Sequence, residues 1–344
     1  MKQFLTCMAL AGTTALMTVT TCAAPGNPTL YGTLSGRMVN YSDTDFIGND
    51  VDATPTLYEG IIGVRGLHVM ENGMKLAYRF EADFAPIAEA DGSYSKYYGA
   101  TSTEDDIFIR HAGAALITDY GLFAYGDAMS GVYSEFYSAV DVFEINTQDS
   151  TPTGAPNGSR MWTQTKWSKD GLVYKTPVWN NFFVKMVYAS IDNTSGEADD
   201  LKIIHGVYND KTFMIGLNLS VYDKTLTSGA SNGEEDRKRW VLASHYNWEN
   251  FKLAGVYEKN VALGGAGADF DVKAITGTYS QDDISVSLSW QNREEPSAGA
   301  LTADTAKLAK VAYKMDKNLS FWAEMGRYSD SDNDNFGVGT KVSF

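Results

Sequence analysis

The chain has 344 residues, 44% of them hydrophobic, which is enough for a folded protein and excludes global disorder. Its 28 Lys and Arg stand against 43 Asp and Glu, a net charge of −15, which excludes a general nucleic-acid binder because that class needs a basic face. A mean hydropathy of −0.25 excludes a bundle of membrane helices, but not a membrane β-barrel, whose strands alternate polar and apolar residues.

The chain opens on a targeting segment. Lys2 supplies the positive start, and Phe4 to Val19 form an apolar core too short and too Thr-rich to span a bilayer. Thr21-Cys22-Ala23 offers small residues for cleavage, expected after Ala23. That divides the chain into a signal peptide, 1–23, and one mature domain, 24–344. A lipoprotein leader cut before Cys22 is the rival reading, and Thr21 is a poor residue for it. Cys7 and Cys22 both leave with the leader. A cysteine-free mature chain suits an oxidising compartment and removes disulfides, thiolate metal sites and cysteine nucleophiles.

The mature chain shows no helical periodicity of any length. What repeats is period two, which sends alternate side chains to opposite faces of a sheet. Met74, Leu76, Tyr78, Phe80, Ala82 and Phe84 share one face, with Lys75, Arg79, Glu81 and Asp83 on the other. Phe213, Ile215, Leu217, Leu219 and Val221 lie opposite Asn218 and Ser220, and Ile284, Val286, Leu288 and Trp290 lie opposite Ser285, Ser287, Ser289 and Gln291. The chain ends with Phe336, Val338, Thr340, Val342 and Phe344 on one face.

Tight connections alternate with long polar ones. The seven tight ones are Glu71-Asn72-Gly73, Thr118 to Gly121, Asn180-Asn181, Asn209 to Lys211, Trp248-Glu249-Asn250, Asp282-Asp283 and Asp316-Lys317-Asn318. The eight long ones run roughly over 43–54, 88–104, 129–165, 192–200, 224–237, 261–269, 293–304 and 330–334. Together they connect sixteen antiparallel strands. Short turns on one side and long loops on the other describe an outer-membrane barrel, because lipid offers the backbone no hydrogen bonds and a spanning sheet must close on itself. A soluble sandwich would show the same alternation with the sense reversed.

Other features carry no chemistry. Gly229-Ala230-Ser231-Asn232-Gly233 fits Gly-x-Ser-x-Gly but lacks a preceding strand and a following helix. Asp330, Asp332 and Asp334 have calcium-loop spacing without Gly at the sixth position or Glu at the twelfth. His68, His111, His205 and His245 show no ligand spacing. Trp179, Trp248, Phe251, Phe321 and Phe344 fall near the short-turn side, as an interfacial aromatic belt does. No catalytic constellation, cofactor or metal is expected.

Several segments resemble the Gram-negative general porin family over essentially the whole mature length. Thr29-Leu30-Tyr31-Gly32-Thr33-Leu34-Ser35-Gly36-Arg37 looks like its first strand, and 112–126 like the hairpin before its constriction loop. Tyr174 to Phe182 resembles its Tyr-x-Ser-Pro-x-Phe-x-Gly-Phe turn, and the chain closes, as the family does, on a terminal Phe344. The chain departs from the family at Gly126-Asp127, where Gly-Arg is usual, and in the loop, where Ser134-Glu135-Phe136 stands for Pro-Glu-Phe-Gly-Gly.

The resemblance implies a sixteen-stranded homotrimeric barrel with the 129–165 loop folded inward and the 88–104 loop acting as a subunit latch. Its partners would be outer-membrane lipid, lipopolysaccharide and small hydrophilic solutes. Glu135, Asp141 and Glu144 would lie on the inward loop. Alternation turns Arg37, Arg65, Lys75, Arg79 and Arg110 inward across from them. Such an arrangement either creates a transverse field in a narrow water column or pairs the bases with Glu59, Glu81 and Asp83 to brace the wall. With Asp127 at the constriction, modest cation selectivity is expected, stronger in dilute salt. The runner-up is an oligosaccharide-selective porin using Tyr133, Phe136, Tyr137 and Phe143. An adhesin on a porin-like barrel and a secreted soluble β-protein or hydrolase are the readings from other classes.

Overall fold

A computed structural model of the chain describes residues 28–41, 56–84, 107–147, 161–162, 164, 166–192, 198–222, 237–261, 269–294, 303–330 and 334–344. The expected leader 1–23, the 88–104 latch and Gly229 to Gly233 lie outside the described residues.

Sixteen strands follow one another in chain order. They are β1 (Thr29–Tyr41), β2 (Thr56–Val69), β3 (Lys75–Asp83), β4 (Phe108–Thr118), β5 (Gly121–Met129), β6 (Trp167–Lys175), β7 (Phe182–Asp192) and β8 (Ala198–Asn209). The second half comprises β9 (Phe213–Tyr222), β10 (Arg237–Trp248), β11 (Phe251–Val261), β12 (Phe270–Gln281), β13 (Ile284–Arg293), β14 (Asp304–Lys314), β15 (Leu319–Tyr328) and β16 (Asn335–Ser343). Each pairs antiparallel with its neighbours, and β1 pairs with β16, so the sheet is a closed barrel with no free edge. At the seam Gly32 and Phe344 exchange backbone hydrogen bonds of 3.0 and 3.1 Å.

The tight connections are the seven read from the sequence. Between β6 and β7, Asn180 and Asn181 both take positive φ, 46° and 67°, and Trp179 and Phe182 exchange two 2.8 Å backbone bonds. This is a two-residue turn whose twist matches the flanking strands, and asparagine tolerates the left-handed backbone it needs.

The sense of the alternation separates a membrane barrel from a soluble sandwich. Leu217, Ile275, Leu288, Phe336 and Val338 are 41–61% exposed, whereas Asp83 and Glu258, on the opposite face, are 0% exposed. On these strands the apolar side chains that face outward are exposed and the buried charges face inward, as hydrocarbon outside and water or protein inside require. Trp179, Trp248, Phe251, Phe321 and Phe344 stand exposed at the turn end, where amphipathic rings suit a membrane interface.

The main hydrophobic cluster lies inside the barrel. Val132, Tyr133, Phe136, Tyr137, Val140 and Phe143, from the segment after β5, pack on inward residues of β7–β12, β14 and β15, among them Phe183, Val207, Val241, Val256 and Leu308. The segment begins as a helical turn that widens to a π-helical turn at Tyr133–Tyr137, whose buried face carries Tyr133, Phe136 and Tyr137. A five-residue turn cannot stand alone in water; burial of these aromatics against the barrel wall holds it.

Candidate functional site

One side of the interior is a basic wall on β1–β4. Arg65 and Arg79 face each other directly across the β2–β3 ladder, a juxtaposition that needs compensation. Tyr31 of β1 supplies part of it. Arg79 Nε donates to the Tyr31 oxygen at 2.6 Å, Tyr31 donates to Glu81 at 2.7 Å, and Arg65 lies 4.9 Å from the Tyr31 ring. Gly63 makes room for that ring, because a Cβ there would approach it to 2.4 Å. Arg79 also pairs with Glu81.

Two bulges shape the same wall. Opposite the β1 pair Ser35 and Gly36, β2 carries Tyr58 as an extra residue, and the Arg37 guanidinium sits 3.7 Å over its ring. Opposite Glu81 and Ala82, β4 carries Arg110 as an extra residue. Its guanidinium lies 3.1 Å from Glu81, 3.4 Å from Glu59 and 3.9 Å from Asp83, and Lys341 of β16 reaches Glu59 at 2.9 Å. Lys75 shares the Arg79 row at the turn end of β3. The structure therefore brings Arg65, Arg79 and Arg110 together, with Arg37 toward the loop end and Lys75 toward the turn end. Glu59, Glu81 and Asp83 pair with Arg79 and Arg110.

The acids of the inward loop have their own partners on the opposite side. Glu135 meets Lys185 of β7 at 2.5 Å and His205 of β8 at 2.6 Å. Burial opposes its charged form, but Lys185 and His205 outweigh that and hold the carboxyl at about 2. Asp141 accepts from the Tyr133 hydroxyl and from Thr147 at 3.0 Å. Glu144 meets Lys310 of β14 at 2.8 Å. Burial pushes its carboxyl up, while Lys310 and Lys341 pull it further down, below the usual carboxylate range.

Three further wall residues anchor the loop. Tyr137 donates to Glu258 of β11, and Thr276 of β12 donates to the Val140 carbonyl at 3.0 Å. Glu324 of β15 accepts the consecutive backbone N–H groups of Glu144, Ile145 and Asn146 at 2.6, 3.1 and 2.8 Å. Sequence reading missed Lys185, His205, Glu258, Lys310 and Glu324. Alternation marks each as inward, but nothing local says which loop it meets.

Asp127 departs from the expectation that placed it at the constriction. It pairs with Ala112, in the row of the outward, exposed Phe123 and Tyr125. The row on the other face runs through Ala124 and Ala128, both buried. Gly126, at φ 125°, and a register shift against β6 locate a local irregularity beside it. Asp127 therefore does not stand opposite the arginines.

A closed sixteen-stranded barrel, apolar outside and charged inside, with a loop packed within it, defines a transmembrane channel scaffold. The Gram-negative porin family model matches residues 11–334, and the chain belongs to that family. No curated protein sequence matches it. Among solved structures, Salmonella typhi OmpF in complex with daunomycin is 17% identical with a TM-score of 0.69, covering 92% of this chain and 97% of that one. An anion-selective porin from Comamonas acidovorans is 14% identical with a TM-score of 0.67, covering 92% and 99%. OmpT of Vibrio cholerae in its trimer form is 15% identical with a TM-score of 0.65, covering 93% and 100%. At these identities the likeness is one of fold. Family and fold together support an outer-membrane channel rather than an enzyme.

Proposed function

We propose that the chain is a passive, water-filled diffusion channel for small hydrophilic solutes and ions, with no catalysis, cofactor or energy coupling. The division of the interior carries this reading. The loop is latched to β7, β8, β11, β12, β14 and β15, and the charged wall lies on β1–β4 with Lys341. Solutes pass along the charged wall, which orients polar molecules and penalises apolar ones. Purified chain in a planar bilayer should give stepwise, non-rectifying current increments; a folded barrel that gives none would point to the adhesin reading. Tyr133, Phe136, Tyr137 and Phe143, which an oligosaccharide path would need exposed, are buried, and this disfavours the sugar-selective alternative.

Ion preference in this reading comes from two opposing fields. The net charge of −15 attracts cations to the mouths through long-range potentials that salt screens. The bases of β1–β4 act at short range, where screening is weak. The channel should therefore prefer cations in dilute salt and lose or reverse that preference as salt rises. Asp127 plays no part.

The homotrimer is supported by the outer face of β1–β3. Three outward glycines there are covered by aromatic rings, Gly32 by Phe344, Gly60 by Phe84 and Gly66 by Tyr78. An apolar face of this kind suits packing against a second copy. Crosslinking of folded chain in detergent should yield a trimer, and a monomer alone would count against this.

A further inference from the structure

The turn-side end of the lumen carries charge of one sign. The two inward positions nearest the turn end of each strand include Lys75, Lys175, Lys185, Lys252, Lys314 and Lys341, and no Asp or Glu. In a chain with a net charge of −15 this is a marked segregation. Three of these lysines have partners. Lys185 meets Glu135, Lys341 meets Glu59 at 2.9 Å, and Lys175 lies 3.6 Å from the centre of the Phe183 ring. Among the described residues Lys75, Lys252 and Lys314 have no ion-pair partner.

Lys252 and Lys314 flank an uncharged floor. Lys252 of β11, Thr278 of β12, Ser287 of β13 and Lys310 of β14 form one inward row, each paired with the next across its ladder. The Thr278 and Ser287 hydroxyls are 3.0 Å apart. One step nearer the turn Ser280 pairs with Ser285, and one step nearer the loop Thr276 meets Ser289 at 2.8 Å. The inward loop closes this ladder on its far side: Thr276 donates to the Val140 carbonyl, and Lys310 donates to the Val142 carbonyl at 2.7 Å and pairs with Glu144. Toward the turn end Ser280 and Lys314 are exposed, while Lys252 is half-buried. The result is a recess with a hydroxyl floor, the loop at its back and a lysine on each flank.

We propose that this recess on β11–β14 binds small hydroxylated organic phosphates that enter from the turn side. Lys314, nearer the mouth, draws anions in, because charge of one sign in a confined space raises the local concentration of counter-ions. Lys252 takes the phosphate as a point charge. Thr278, Ser280, Ser285 and Ser287 exchange hydrogen bonds with the polyol, since each hydroxyl both donates and accepts. A bare inorganic anion would not use the hydroxyl floor, and a neutral polyol would leave Lys252 without a counter-ion. The bases of β1–β4 differ in that they stand among Glu59, Glu81 and Asp83. The inference rests on the diffusion-channel reading and deepens it, by naming a class of solute that the lumen retains.

Calorimetric titration of the folded full chain in a non-ionic detergent tests it, with glucose 6-phosphate, glucose or inorganic phosphate as the probe. Glucose 6-phosphate should reach half-saturation at a concentration roughly tenfold below that of either other probe, the effect of one additional charge-assisted contact. Lys252→Gln should raise that concentration by roughly tenfold for the same reason. Lys211→Gln, on the β8–β9 turn outside the recess, should leave it unchanged. Wild-type chain that binds glucose 6-phosphate no better than inorganic phosphate or glucose would overturn the proposal, even if the Lys252 variant failed to fold. A folded Lys252 variant with undiminished binding would overturn it too, as would an equal loss from Lys211→Gln, which would assign the effect to the general field at the mouth. The titration needs no current, so conductance of the same preparation keeps the readings apart: a conducting channel without preferential binding removes the recess alone, and a silent barrel that still binds removes the channel alone.

Discussion

At the scale of single residues, Glu135 shows what a buried charge does in this channel. It fastens the loop to Lys185 and His205, and Glu135→Gln would leave Lys185 buried with its carboxylate partner gone. Breaking a buried pair costs on the order of 3 kcal/mol, more than one loop contact can absorb. The variant's open-channel current should become noisier while the barrel stays folded; current as quiet as that of wild type would show that the latch is dispensable. The carboxyl stands at about 2 when folded, below its unfolded value of about 4.3. Its contribution is therefore complete above the unfolded value and disappears as pH falls through the folded one. Current noise should rise only in strongly acidic solution. Asp127 gives the converse case. Asp127→Arg should leave the reversal potential in a salt gradient nearly unchanged, whereas Arg79→Gln should move it toward cations. A large shift from the Asp127 variant would return that residue to the conducting path.

Residues were legible in the sequence where period two holds and not where it breaks. Arg65 and Arg79 face inward by simple alternation. Arg110 does so only because β4 carries an extra residue: strict alternation from Arg110 would turn Ala112 and Ala114 inward, yet both pair on the outward row. Bulges depend on the partner strand, so no local pattern announces them.

Strands and turns were the most legible elements, since lipid on one side and charge on the other enforce alternation over ten residues at a time. The loop was less so. Its inward placement came from family resemblance, and its attachment to β7–β16 depends on side chains up to 189 positions away in sequence, such as Asn335 with Asn146. Glu324 shows how such an attachment is built. One carboxylate takes three successive backbone N–H groups, which no neutral side chain of that length can replace. Glu324→Ala should free the 144–146 end of the loop, raise current noise and speed proteolysis between Glu144 and the loop's return to β6. Unaltered proteolysis would mean that the apolar packing of Phe143 and Ile145 suffices.

For the molecule as a whole, closure is the constraint from which the rest follows. The seam between β1 and β16 ends on Phe344, whose backbone pairs with Gly32 and whose ring covers it. Deleting Phe344 should reduce the heat-modifiable folded form in outer membranes; unchanged surface-exposed folded protein would show that closure does not need the terminal residue. Single-channel recording of the purified, folded chain in a planar bilayer tests the central claim most directly. Discrete, ohmic steps that scale with bulk conductivity are expected, with a cation preference in dilute salt that fades as salt is raised. A folded, heat-modifiable barrel that inserts but passes no current would contradict the account.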